Sequence, residues 1–364
     1  MNEGLNDGVP ERQRLSRRQL LARGAIGVGA LAVGGGVLAA CGDDGGSETT
    51  AGAGSVQSTA KKGVNGGLGE QIVLGWGGAA CEAPLYSAYH EGFFRDEGLD
   101  VKLVKFSGTT INDALSTAKI HGAPGILFEW LKPIEQGLNV RLVTGLHRGC
   151  LRFVAGNDSG ITDISQLKGK AVGTDAIGGS AMAFFSVDLA KAGIDPSKDI
   201  DWRIYPPDQL GTAIEKGEVP AIVGSDPFAW TVQQAGKGVE IGNNLSAEHR
   251  RQFCCTVALN KNLIDEYPEV AASITRAWER GAEWVGQNIP AAAQIEVDNK
   301  YVPVSRDDIS GLLSSYVWAP GTDDFYNQLE QGAKDFKGTG YLDDSTDPVQ
   351  LARTAFVDIK AQVA

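Results

Sequence analysis

Histidine is scarce in this chain, cysteine is sparse, and basic residues are outnumbered. The four histidines stand scattered at 90, 121, 147 and 249 among 364 residues. None belongs to a His-Glu-x-x-His pair, no Ser-His-Asp spacing is present, and no glycine loop closes on Lys-Ser or Lys-Thr. The usual signatures of metalloprotease, serine-hydrolase and nucleotide-hydrolysing chemistry are therefore missing. Five cysteines, at 41, 81, 150, 254 and 255, include no Cys-x-x-Cys pair. Lys and Arg number 33 against 45 Asp and Glu, a net charge of −12, so the chain lacks the basic footprint that nucleic acid requires. A long apolar run is absent as well. The one weakly apolar stretch, 24–40, has 17 residues and holds Gly24, Gly27, Gly29, Gly34, Gly35 and Gly36. It is too short and too glycine-rich for a stable membrane-spanning helix.

What that stretch does resemble is an export signal. Ser16-Arg17-Arg18-Gln19-Leu20-Leu21 sets adjacent arginines before a short apolar segment, the pattern of a twin-arginine signal. Leu38-Ala39-Ala40-Cys41 resembles a bacterial lipobox, whose cysteine becomes the lipidated first residue of the mature chain. Residues 1–40 are expected to be removed and Cys41 lipidated, on the outer face of the cell membrane. Removing 40 of 364 residues leaves 324, enough for two lobes. It also leaves 28 basic against 42 acidic residues, a net −14. Lipid rather than charge would then hold so acidic a body at an anionic bilayer. Residues 41–70 contain no aromatic residue and are rich in Gly, Ser, Thr and Ala, which predicts a flexible tether reaching about 30 Å.

From residue 71 the texture changes. Residues 71–75 read as a strand, 84–94 as a helix, 99–104 as a strand, 110–120 as a helix, and 125–128 and 140–144 as strands. The rhythm restarts after 160. There is a strand at 171–173, then a helix capped by Ser180 that carries Met182, Phe185 and Leu189 and ends at Gly193. Strands follow at 201–205, 221–223 and 256–259. A long helix beginning near Pro268 opens a mostly helical tail broken at Pro290 and Pro303. Alternation at this pace predicts an α/β fold of two lobes, each a mostly parallel sheet flanked by helices. Lobe 1 is expected to comprise 71–150 and 254–364, and lobe 2 151–253, with two crossings serving as a hinge.

Several segments resemble the solute-binding proteins of ABC importers, in the group that binds nitrate, taurine, aliphatic sulfonates and thiamine precursors. They are Pro84-Leu85-Tyr86 with Ala88, Glu91-Gly92-Phe93-Phe94, Glu97-Gly98-Leu99-Asp100-Val101, Asp163-Ile164-Ser165-Gln166-Leu167-Lys168-Gly169-Lys170 and Asp226-Pro227-Phe228. The resemblance covers about residues 70–290. It implies a type II periplasmic-binding-protein fold that is not an enzyme, needs no cofactor, and has a permease and ATPase complex as partners. The competing reading is a thiol- or metal-dependent enzyme on the same scaffold acting on a pyrimidine-like compound, and a third is a sensory lipoprotein.

Ligands of open α/β sheets sit beyond the carboxyl ends of the strands. The candidate loops there are Gly77-Gly78-Ala79-Ala80-Cys81-Glu82, Gly108-Thr109-Thr110, and Asp175-Ala176-Ile177-Gly178-Gly179-Ser180. Each is a glycine turn before a helix whose N–H groups suit an anion. Glu82, Glu129, Asp175 and Asp226 fall near the same strand ends, with His147 and Arg148 the obvious cations. That balance points instead to an amine, a pyrimidine or a cationic heterocycle. Trp76, Phe128, Trp130, Phe228 and Trp230 flank these loops and suit stacking on a flat ligand. For the cysteines the preferred reading is a disulfide between Cys150 and Cys254 or Cys255, stapling the hinge. The alternative is a thiol cluster with His147 that takes a soft metal. Phe253-Cys254-Cys255-Thr256-Val257 resembles the segment of fungal thiamine-pyrimidine synthases but has fewer cysteines, so no metal site is assigned.

Overall fold

The computed structural model describes residues 65–106, 110–247 and 249–364. The export segment, Cys41, Gly108, Thr109 and residues 41–64 of the expected tether lie outside the described residues. The end of that tether is part of the folded body. The side chain of Asn65 is buried, donates to Glu70 O and accepts from Asp100 N.

Strands alternate with helices as the hydrophobic pattern predicts, and they build two separate sheets. In chain order the strands are β1 (Ile72–Trp76), β2 (Val101–Lys105), β3 (Gly122–Ile126) and β4 (Val140–Arg148), then β5 (Leu151–Gly156), β6 (Lys170–Thr174), β7 (Ile200–Ile204), β8 (Ala221–Ser225) and β9 (Gly238–Asn243), and finally β10 (Cys255–Asn260) and β11 (Val317–Gly321). The first sheet has the order β11-β4-β10-β3-β1-β2, the second β7-β6-β8-β5-β9. The chain leaves the first sheet through Gly149 and Cys150 and returns through residues 244–254.

Both sheets are mixed rather than mostly parallel. β1 runs parallel to β2 and β3, but β10 is antiparallel to both β3 and β4, and β11 is antiparallel to β4. In the second sheet β6 is parallel to β7 and β8, whereas β5 is antiparallel to β8 and β9. Apart from β11, which follows the helical tail and lies antiparallel to β4, the antiparallel pairs have a common cause. Strands reached by a βαβ crossover lie parallel, while those entered directly from the other sheet, β5 and β10, run the opposite way.

The long helix Pro268–Gln287 begins with its proline in the first turn, where the missing N–H costs nothing. It buries Val270, Ile274, Ala277, Trp278 and Val285 on one stripe, with Trp278 edge-on to Phe94 at 6.2 Å. Gly281 allows its close approach to helix Ala83–His90. A Cβ there would sit 2.2 Å from Pro84 O. After this helix, β11 adds an edge strand to the first sheet and Phe356 bridges to Leu142, so the tail packs on β4. Pro290 lies in the first turn of helix Ile289–Asp298. No helix among the described residues is long and apolar enough to cross a membrane.

Candidate functional site

The loop after β1 is sealed by its own acid. Glu82 accepts from the N–H groups of Gly77 (2.8 Å), Gly78 (2.7 Å) and Ala79 (3.0 Å), and from Tyr86 Oη (2.6 Å). The amides expected to receive an anion are thus already taken by an internal carboxylate. Burial pushes the Glu82 carboxyl up, and Cys81 adds to the rise against the Tyr86 and backbone hydrogen bonds. Gly78 has φ +109° with Tyr301 O close to where a Cβ would stand, so the tight wrap around the acid requires glycine. Trp76 is packed edge-on to Tyr86 (5.6 Å) and Tyr301 (5.0 Å), and Tyr86 stacks on Tyr301 at 3.9 Å. Lys105 lies over the Trp76 ring. This tryptophan is core and loop packing rather than an open stacking face.

Glu129 connects the two sheets. It sits in the helical turn Leu127–Trp130 after β3, accepts from Ile126 N at 3.0 Å, and accepts a hydrogen bond from Ser180 Oγ. Ser180 opens helix Ser180–Lys191 as its first residue, so Gly179 rather than Ser180 holds the N-cap position. With the hydroxyl turned to Glu129, the serine is used across the sheets and not on its own helix end. Burial raises the Glu129 carboxyl to about 7, opposed by Ser180 and the Ile126 amide. A second link runs from Tyr341 Oη to Gly178 O at 3.0 Å.

The loop after β6 is looser. Asp175 is partly exposed, its carboxyl raised by burial against the neighbouring amides of 175 and 176. Ile177 is 57% exposed, unusual for a large apolar side chain. Gly178 takes φ +72°, its N–H directed at the Met182 thioether, and Gly179 N bonds Ala176 O. Thr110 begins helix Thr110–Ser116 and is exposed.

Asp226 is fully buried, with partners that the residue types alone did not reveal. Arg152 Nε reaches its two oxygens at 2.9 and 3.2 Å, and Tyr316 Oη donates at 2.9 Å. The same guanidinium bonds Glu240 at 2.5 Å and lies over the Trp230 ring. Burial still lifts Asp226 to about 6, the charge and hydrogen bonds of Arg152 pulling the other way. Phe228 starts helix Phe228–Gln234 and is half-buried. Sequence reasoning also passed over Glu296. It is fully buried and neither carboxyl oxygen has a hydrogen-bond partner. Burial, with Cys81 and Glu82 adding to it, pushes its carboxyl far up.

The cysteines and His147 come together where the chain crosses between sheets. Cys81, Cys150, Cys254 and Cys255 are free, buried thiols, so the expected hinge disulfide is not formed in this structure. Cys150 Sγ lies 2.7 Å from Cys254 Sγ and 3.9 Å from Cys255 Sγ, both longer than the ~2.05 Å of a disulfide bond. His147, at the end of β4, is 0% exposed and packed against the rings of Tyr316 and Trp318, each 5.0 Å away. Neither of its ring nitrogens has a hydrogen-bond partner. Burial opposes protonation of the imidazole, but the thiols of Cys81 and Cys254 raise it above the usual histidine range. Cys81 is lowered well below the usual thiol range by the facing Cys150 and Cys255 thiols, against the effect of burial.

A model of the NMT1/THI5-like family matches residues 81–293, more than half of the chain and a span that includes Glu82, the loop after β6 and both crossings. The chain belongs to this family. Among its relatives is the nitrate/nitrite-binding protein NrtA of Synechococcus elongatus, 23% identical over 338 residues, covering 82% of this chain and 74% of NrtA. The riboflavin-binding protein RibY of Chloroflexus aurantiacus is 26% identical over 209 residues, and the chain spans little more than half of RibY's length, 57%, with 55% of this chain covered. Among solved structures, the periplasmic nitrate-binding protein NrtA of Synechocystis PCC 6803 superposes with a TM-score of 0.69 at 18% identity, covering 80% of this chain and 87% of that one. The family fold is thus the two-sheet periplasmic-binding-protein fold.

Proposed function

We propose that this chain is an extracytoplasmic solute-binding protein, anchored through a lipid on Cys41, that closes on a small organic molecule and passes it to an ABC permease and ATPase complex. The observation that carries the reading is the hydrogen bond from Ser180 to Glu129, which joins the strand-end loops of two sheets connected by only two chain crossings. Loops that meet in this way close over a ligand, and binding energy from both sides favours the closed form. The membership of the family and the binding functions named for NrtA and RibY support the same role.

Within that reading, Glu82 and Asp226 shape the walls, because their oxygens are held by internal partners. Asp175, Gly178 and Gly179 of the looser loop are the groups that would meet the solute, together with Thr109 and Thr110 and with Phe228 flanking them, while Glu129 and Ser180, bonded to each other, bridge the two sides. Lipid on Cys41 and the glycine-rich segment after it would hold the acidic body off the bilayer, within reach of the permease. A thermal-shift panel of nitrate, alkanesulfonates, riboflavin, amines and pyrimidine thiamine precursors tests the role on the purified chain. One class raising the melting temperature, with the compound recovered unchanged, supports a binder. Turnover of the bound compound overturns it.

A further inference from the structure

Three thiols and one imidazole converge at the crossings between the sheets, supplied by three separate stretches of chain. Cys81 comes from the helical turn Ala80–Glu82 after β1, His147 and Cys150 from the end of β4 and the link that follows it, and Cys255 from the start of β10. Their donor atoms all lie within 4.8 Å of one another, and all four residues are buried. We propose that Cys81, His147, Cys150 and Cys255 form a tetrahedral site for a thiophilic divalent cation of the zinc type.

The geometry fits such an ion. Metal–sulfur bonds of about 2.3 Å at the tetrahedral angle place two sulfurs about 3.8 Å apart. Cys150 Sγ and Cys255 Sγ are 3.9 Å apart. His147 is a second, independent pointer. A fully buried imidazole with both nitrogens unpartnered is a state that folded proteins rarely keep. Its ring is packed against Tyr316 and Trp318, and that packing fixes its aim before any ion arrives. Cys150 adds a third. It holds φ +124°, a conformation that residues with a Cβ rarely adopt, and in it the thiol lies among the other donors. Three cysteines and a histidine make a closed set with no position left for water, which is the pattern of a structural ion rather than a hydrolytic one. The ion would tie the loop after β1 to both crossings. Cys254, 2.7 Å from Cys150, stands outside the set.

The test is a cobalt(II) titration of the full chain, reduced and freed of metal at neutral pH, with no solute present. It is therefore independent of the transport reading. The expected result is a single saturable complex with intense d–d bands and a thiolate-to-cobalt charge-transfer band, which zinc displaces. Cys255→Ser is expected to weaken cobalt binding by at least about 100-fold, while Cys254→Ser keeps the full spectrum. Reduced wild-type protein that gives no tetrahedral spectrum overturns the site, whether or not the ligand variants fold. Loss of the spectrum in a folded Cys254→Ser protein overturns the ligand set.

Discussion

The loops after β1 and β6 occupy equivalent places, each following a strand whose parallel neighbour lies at the sheet edge and each leading into a helix. Yet one is closed and the other open. In the first, a single carboxylate four hydrogen bonds deep takes the amides of Gly77, Gly78 and Ala79 and the hydroxyl of Tyr86. In the second, Ile177 stands in solvent, Gly178 N–H meets only a thioether, and Asp175 has no charged partner among the described residues. Two glycine-rich turns with the same position in the topology have thus been given different work. One is framework, and the other keeps its acid and its large apolar side chain out of such a framework.

Removing the Glu82 carboxylate is the most severe way to break this contrast. Glu82→Ala leaves three amides and a tyrosine hydroxyl inside the fold without partners, and should cost about 3–5 kcal/mol, read as a fall in denaturation midpoint. A loss below about 1 kcal/mol would mean that the loop is as loose as its counterpart. Breaking the link between the sheets comes next. The carboxyl of Glu129 is raised in the fold to about 7 from an ordinary value near 4.5, so the folded state binds the extra proton between those limits. Stability from this group is full at low pH and is lost as pH rises through the window, an effect on the order of 1–2 kcal/mol because the side chain is only partly buried. Asp226, raised to about 6, adds a slope of the same sign at the lower end. Glu129→Gln should flatten the upper part of the stability–pH profile, and an unchanged profile would refute the assignment. On the open side, Asp175→Asn should shift stability by less than about 0.5 kcal/mol while lowering solute affinity, measured by calorimetry, about tenfold. Ile177→Ser should be the mildest, neutral for stability to within about 0.5 kcal/mol. A clear destabilisation by either would show that the second loop is framework as well.

The α/β alternation was legible because buried strands such as β1 and β8 are short apolar runs bounded by glycine, and Pro268 marks a helix start. Three strands were not. β5 follows β4 after only Gly149 and Cys150, too short a link to mark a second strand beginning in the other sheet. β9 is flanked by glycine and asparagine and pairs antiparallel at an edge. β11 contains Pro320, tolerated because the strand lies at the rim of its sheet. At the site, the residue types drew attention to Glu82, Glu129 and Asp226, but their partners lie elsewhere in the chain. Arg152 is 74 residues from Asp226, and Tyr316 is 90. The meeting of Cys81 with His147 and Cys255 follows from the order of β1, β3, β10 and β4 in the sheet, which local periodicity does not encode.

The link between β4 and β5 is the shorter of the two chain crossings. It has two residues, whereas the return path spans 244–254. Leu245 and Tyr316 both crowd the place where a Cβ at Gly149 would stand. Adding one residue here would turn every side chain of β5 to the opposite face of its sheet, carrying Phe153 out of the core and Arg152 away from Asp226. The short link is therefore a ruler: its length sets the phase in which one half of the molecule is spelled relative to the other.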